Sequence, residues 1–308
     1  MIAGLLLAMP AQADGSKFAG SSVTLRHATN ANGLNPGADP TWNPYAAAIL
    51  SFSPVYALPA KLSLSANWDW EGEYTRRDAE PSSFSYGDPT LTLARGALFD
   101  HTPTGLSLSG SATLRAGLSE ASRAKTRYGA LTVGLGLKRS FKVLKGAALS
   151  LSLSATGYGH GATHGSSSQS LYSSCSGGAS VASFAASCTE ELVLHSGSAN
   201  AYGALTSVLT ASVKLPYKLS ARVRLGGSWL GTYSESLTDE RISYDGPSGT
   251  SVRSILISDV RLSAAPIKRL GVALGLQNAH PQLGADGRYR TPFVNRYSNL
   301  YLDLTARF

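Results

Sequence analysis

Leu106-Ser-Leu-Ser-Gly-Ser-Ala-Thr-Leu-Arg-Ala116 alternates with a period of two residues. One face reads Leu106, Leu108, Gly110, Ala112, Leu114 and Ala116; the other reads Ser107, Ser109, Ser111, Thr113 and Arg115. Successive side chains of a β-strand point to opposite faces, so this pattern is a strand with one apolar and one polar side. Leu149-Ser-Leu-Ser-Leu-Ser-Ala-Thr156 divides the same way, as does Leu62–Trp70, with Leu62, Leu64, Ala66, Trp68 and Trp70 against Ser63, Ser65, Asn67 and Asp69. A solvent-exposed strand face is normally rich in Lys and Glu. Here the polar face is small and mostly uncharged, which suits the wall of a lumen, with the Leu face turned to lipid.

Working outward, the pattern predicts segments at 18–29, 45–57, 61–74, 88–98, 105–118, 127–139, 147–160, 200–214, 218–233, 251–264, 268–279 and 297–308. Twelve is an even number, as single-chain bacterial barrels require. The connections also alternate in length. Leu58-Pro-Ala-Lys-Leu62, 100–105, 140–146, Leu215-Pro-Tyr-Lys-Leu219 and Ala265-Pro-Ile-Lys268 are short, and four of these five contain Pro. Longer loops at 30–44, 75–87, 119–126, 161–199, 234–250 and 280–296 lie between them. Trp68, Trp70, Tyr74, Trp229 and Tyr233 fall toward the long-loop ends of their strands, with Trp42 just before a strand start. Amphipathic rings concentrate at membrane interfaces. The fold expected is therefore all-β: a single antiparallel transmembrane β-barrel of twelve strands spanning 14–308.

Composition agrees. The 308 residues include 44 Ser and 32 Gly, are 15% charged and carry a net charge of +8. An average soluble domain is roughly 25% charged. Lys and Arg are scattered singly, which argues against nucleic acid as a partner. No apolar run reaches the ~18 residues of a transmembrane helix.

At one end, Leu300-Tyr-Leu-Asp-Leu-Thr-Ala-Arg-Phe308 puts Leu300, Leu302, Leu304, Ala306 and Phe308 on one face and Tyr301, Asp303, Thr305 and Arg307 on the other. It resembles the C-terminal β-signal of bacterial outer-membrane barrels, carried by Tyr301, Leu302, Leu304 and Phe308. The resemblance implies insertion by the barrel assembly machinery and outer-membrane lipid as surroundings. At the other end, the apolar run Ile2–Pro10 followed by Ala11-Gln-Ala13 reads as a signal peptide over 1–13, although no Lys or Arg precedes the run.

The chemistry of the polar face is what bears on function. The alternation turns Arg26, Lys61, Arg115, Lys138, Lys214, Arg222, Arg224, Arg253, Arg261 and Arg307 inward, with Asp69, Glu71, Glu73, Asp259 and Asp303. Basic side chains outnumber acidic ones, so the lumen is expected to be net positive. Asp69, Glu71 and Glu73 stack about 7 Å apart on one strand face and need basic partners; Arg222 and Arg224 are candidates. The expectation is a narrow channel for small solutes with anion preference. A closed barrel serving a structural or surface-binding role has the same charge signature.

Catalysis finds little support. Nucleophilic chemistry needs a Ser, a base and an orienting group in register. Among 44 Ser and 6 His, chance neighbours are expected. His101, His195 and His280 fall in turns or loops, and only His27 threads to the lipid face. A lipid-modifying enzyme is the remaining alternative. His160 and His164 have the spacing of a helical metal pair but lie in Gly-rich sequence, so neither metal nor cofactor is expected. Cys175 and Cys188, in the longest loop, read as a disulfide in an exported chain. The simple loop model gives such a bridge ~3 kcal/mol.

Overall fold

Every wall strand pairs antiparallel with its neighbour along the chain, and the first strand closes on the last. The computed structural model describes residues 17–30, 46–74, 84–141, 146–161, 200–232, 252–281, 291–295 and 298–308. The signal-peptide expectation over 1–13, Trp42, Tyr233, His164, His195 and the Cys175–Cys188 pair lie outside them. The strands are β1 (Ser22–Asn30), β2 (Ala46–Ser53), β3 (Val55–Ala57), β4 (Leu62–Glu73), β5 (Phe84–Tyr86), β6 (Thr90–His101) and β7 (Leu106–Ala116). A five-residue helix, α1 (Glu120–Ala124), precedes β8 (Arg127–Phe141), β9 (Ala147–His160), β10 (Ala201–Lys214), β11 (Leu219–Thr232), β12 (Val252–Ile267), β13 (Leu270–Pro281) and β14 (Asn299–Arg307).

The fourteen segments make a twelve-strand barrel, because two wall strands are interrupted. β2 and β3 both pair with β4 and are parted at Pro54, which has no N–H to donate to the ladder. The sequence pattern ran through this proline without a break. β5 and β6 also share β4 as partner; β5 falls in what the sequence reads as loop 75–87. Cross-strand partners beginning at Glu73, at the long-loop end of β4, run through Ala47, Ala28, Tyr301, Gly275, Arg261, Arg222 and Ser212 to Ala148, at the short-turn start of β9. One row of partners thus descends most of the wall, the stagger that a closed barrel of tilted strands requires.

The two faces are sorted as the alternation predicts. Leu135 is 52% exposed, Leu153 50% and Leu205 61%, whereas Asp303 is 1% and Tyr301 2% exposed. Exposed leucines outside and buried polar groups inside invert the plan of a soluble protein, and only a hydrocarbon surround stabilises that arrangement. Trp68 and Trp229 point outward, and the Trp68 indole N–H donates to the Gly87 carbonyl at 3.1 Å.

Two short turns share one solution. In Pro59-Ala60-Lys61-Leu62 and Pro216-Tyr217-Lys218-Leu219 the fourth N–H donates to the first carbonyl at 3.2 Å. Both central residues have positive φ, 58° and 60° in the first turn, 58° and 59° in the second. This is the signature of a type I′ turn, whose twist matches that of the flanking strands. Neither turn uses glycine there, and the left-handed conformation costs roughly 1–2 kcal/mol for each such residue.

At the long-loop end, α1 is tied to the wall through Asp88. Its carboxylate accepts from the Ser119 N–H at 2.7 Å and from the Ser122 hydroxyl, while the Ser119 side chain caps the helix by accepting from the Ser122 N–H. Burial works to raise the Asp88 carboxyl, but these hydrogen bonds outweigh it and hold the group below its ordinary value. Lys125, just past α1, is lowered by burial and by the neighbouring Arg127 charge.

His280 departs from its expected place at a loop start. It belongs to β13 and is 1% exposed. By alternation it shares the outer face with Ser258 and Asn278, which are also buried. Residues 291–295 cover part of this patch: the Pro292 carbonyl accepts from the Ser258 hydroxyl and from the Asn278 amide, the latter at 3.4 Å. The outer wall is therefore not uniformly apolar near its long-loop rim, and the Pro292 carbonyl takes up two of its donors.

Candidate functional site

The inner wall has two halves of different chemistry. From β6 round to β10 it carries mostly short hydroxyl and glycine positions, interrupted by Arg115, Lys138 and Lys214. Thr92 meets Thr113 at 2.8 Å, Thr132 meets Thr156 at 2.8 Å, and Thr206 meets Ser228 of β11 at 2.9 Å. Each hydroxyl finds its partner on the adjacent strand, so these polar groups are satisfied without reaching toward the axis.

From β11 round to β1 the wall is ionic. The Arg26 guanidinium donates to Asp303 through Nε at 2.7 Å and Nη2 at 3.1 Å, and to the Gln277 side-chain carbonyl at 2.9 Å. Arg261 reaches the same carboxylate at 3.5 Å. Arg222 pairs with Asp259 at 2.9 Å. Tyr301 links the two carboxylate centres. Its hydroxyl donates to Asp259 at 2.6 Å, and its ring underlies Arg26, whose guanidinium carbon is 4.2 Å from the ring centroid.

Gly275 makes this possible. A Cβ there would lie 2.4 Å from both Cζ and Oη of Tyr301. The ring therefore lies flat on the wall, crossing β13 to join β14 to β12. Bidentate guanidinium–carboxylate contacts and charge-assisted hydrogen bonds are among the stronger polar interactions, and here they hold five adjacent strands, β11 to β14 and β1, together near the closure. The backbone completes that closure: the Phe308 N–H donates to the Ser21 carbonyl at 3.0 Å, and the Phe308 carbonyl accepts from the Gly20 N–H at 3.2 Å. Leu302 and Leu304, each 39% exposed, face outward.

Of the residues singled out in the sequence, Arg26, Arg222, Arg261, Asp259, Asp303 and Tyr301 thus form one network. Arg222 is engaged by Asp259 on the adjacent strand and does not serve the Asp69, Glu71 and Glu73 ladder. That ladder lies on β4, with β2, β1, β14, β13 and β12 between it and β11. Asp69 accepts from the Asn67 amide at 3.1 Å, and Glu71 and Glu73 have partners of their own. Arg115, Arg224, Lys138 and Lys214 stand at inward register positions and have no ion pair among the described residues. Arg253 lies in β12 opposite Leu230. Lys61 occupies a turn corner at the end of the wall.

Three partners escaped the sequence reading. Gln277 and the Tyr301–Asp259 bond depend on register across strands far apart in sequence. Arg127, over the Tyr158 ring at 4.6 Å, lies beside a bulge that breaks the alternation. His27, on the outer face, meets the Tyr74 hydroxyl at 3.1 Å. Both ring nitrogens of His160 face backbone carbonyls, those of Lys125 at 3.0 Å and Ala201 at 2.9 Å, which ties α1 and β10 to β9.

A closed antiparallel barrel with an apolar exterior and a polar, partly ionic interior defines a transmembrane β-barrel of the outer-membrane type. The chain shares this fold with an outer membrane channel from Pseudomonas putida F1, described as COG4313. The TM-score is 0.52 at 14% identity, covering 97% of this chain and 100% of that one. The KdgM porin aligns with a TM-score of 0.45 at 10% identity, covering 93% and 99%. No protein-family model matches the chain, and no curated protein matches it in sequence.

Proposed function

We propose that the protein is an outer-membrane channel that passes small solutes with a preference for anions. The observation that carries this reading is the imbalance of the inner wall. Asp259 and Asp303 are each engaged by arginine, while Arg115, Arg224, Lys138 and Lys214 have no carboxylate partner among the described residues and outnumber the inward carboxylates of β4, Asp69, Glu71 and Glu73. A lumen lined by unneutralised cations with low-dielectric walls concentrates anions and repels cations. The other half of the wall supports an open bore, because Ser, Thr and Gly leave the space that bulkier side chains would fill. A twelve-strand barrel is also wider than the eight-strand type, which its own side chains fill.

The test is single-channel recording in planar bilayers under a KCl gradient. The wild type should conduct, with a reversal potential on the anion side. Arg115→Glu and Arg224→Glu together should move it toward cations, since each reverses a charge on the wall. Absence of conductance, or cation selectivity in the wild type, would overturn the reading.

A further inference from the structure

At the short-turn end, strands β11 to β14 enclose an inner recess of about 250 Å³. Its lining includes Lys218, Arg261 and Arg307, together with the hydroxyls of Ser220, Ser263 and Thr305. Two local features border the recess. β12 and β13 shift register between Ala264 and Ile267, and Ala264 and Ala265 line it there. Gly271 then leaves room for the Arg307 guanidinium: a Cβ on Gly271 would lie 3.0 Å from Arg307 Nη2.

The charge in the recess is one-sided. The carboxylate in contact with it is Asp303, 3.5 Å from Arg261, and that group is already held by Arg26 at 2.7 Å. Arg307 has no ion pair among the described residues, and Lys218 Nζ donates to the Pro266 carbonyl at 3.2 Å. Three cations around a small polar space therefore share a fraction of one counter-charge. The hydroxyls complete a receptor for oxyanions. Ser220 and Ser263 meet at 2.7 Å, and Thr305 meets Thr24 at 3.0 Å. In each pair one hydroxyl donates to the other, which leaves one rotatable hydrogen per pair to turn to an acceptor placed in the recess.

We propose that this recess is a binding station for a small oxyanion carrying about two negative charges, a phosphate or a dicarboxylate, at the short-turn mouth of the channel. The inference rests on the anion-channel reading and adds to it a defined site and ligand class. Arg307 and Arg261 offer paired N–H donors matched to an oxyanion, and Lys218 supplies a point charge. A halide can answer the charge but presents a single centre, whereas an oxyanion sets several spaced oxygens against the two forks and the hydroxyls.

Binding is measured on the full-length protein in detergent by thermal unfolding against phosphate, succinate and chloride at matched ionic strength. Phosphate or succinate should raise the unfolding temperature in a saturable way and chloride should not; whichever of the two binds at lower concentration identifies the ligand class. Arg307→Gln should weaken binding about 10-fold or more, the effect of losing a charge-assisted contact. Lys218→Gln should weaken it as well, and this variant lies in a turn, clear of the closing strand. Equal stabilisation by chloride, or unchanged affinity in both variants, would overturn the proposal. Bilayer recording separates the two readings. Saturable oxyanion binding without conductance removes the channel and leaves the recess; anion-selective conductance without Arg307-dependent binding removes the recess and leaves the channel.

Discussion

Gly275→Ala removes nothing from the protein and adds one methyl group, yet it should disrupt the ionic half of the lumen. The new Cβ would lie 2.4 Å from Tyr301 Cζ and Oη, and 2.7 Å from the Val260 carbonyl oxygen. Neither separation is sustainable, so the ring must lift off the wall. Lifting it breaks the hydrogen bond to Asp259 at 2.6 Å and the stacking beneath Arg26 at 4.2 Å. A hydrogen bond to a charged group contributes about 1.5–3 kcal/mol. A partly exposed cation–π contact adds about 0.5–1 kcal/mol. Their sum predicts a loss of about 2–4 kcal/mol. Urea unfolding in lipid vesicles, followed by tryptophan fluorescence, measures it. The crowding against Val260 is independent of Tyr301, so Gly275→Ala is also made in a Tyr301→Ala background, where that contribution cancels in the double-mutant cycle. The two substitutions should couple by at least about 1 kcal/mol, well beyond the ~0.5 kcal/mol within which independent sites add. Additivity within that margin would refute the claim that Gly275 acts by seating the tyrosine. The displaced ring also points into the lumen, so single-channel conductance should fall.

Two further outcomes follow from the sidedness of the wall and from Asp88. Leu135→Arg, at an outward position near the middle of β8, should cost about 2–4 kcal/mol in vesicles, whereas Ser154→Arg, turned into the lumen, should be tolerated within about 1 kcal/mol. Equal costs would mean that the faces are assigned wrongly. The Asp88 carboxyl is held below its ordinary value of 3.8, so its stabilising effect is complete above that value and is lost as pH falls through the depressed folded one. Amide exchange across α1 should therefore accelerate in acid, and Asp88→Asn should accelerate it at neutral pH. Unchanged protection in both cases would leave Asp88 without the anchoring role.

Much of the architecture is legible in the sequence because barrel strands are specified locally. Leu149, Leu151 and Leu153 against Ser150, Ser152 and Ser154 announce both a strand and the side facing lipid, with no need to know the neighbours. The departures occur where local pattern and local chemistry conflict. Pro54 divides β2 from β3 by withholding one N–H, although the alternation continues past it. His280 looks like loop because it follows polar Gln277 and Asn278, yet it continues β13, and the segment after it folds back to supply acceptors for the outer polar patch. α1 forms where Ser119 can cap and Asp88, 31 residues away, can anchor it, a partnership that no window around Ser119 reveals.

The candidate site divides along the same line. Period-two alternation alone determines that Arg26, Arg222, Arg261, Asp259, Asp303 and Tyr301 face inward, since a strand has only two sides. Which of them meet is decided by closure and stagger, which bring Asp303 to Arg26 across 277 residues and Tyr301 to Asp259 across 42. Charge bookkeeping on the sequence favoured Arg222 and Arg224 as partners of the β4 carboxylates, because the signs were opposite. The folded wall pairs Arg222 with Asp259 instead, because an arginine reaches the adjacent strand but not across a barrel. The sequence sets the face, the sign and the strand count through local sterics and polarity; the tertiary structure alone sets the partners, the seat under Tyr301 and the recess beside Arg307, because each depends on the register between strands.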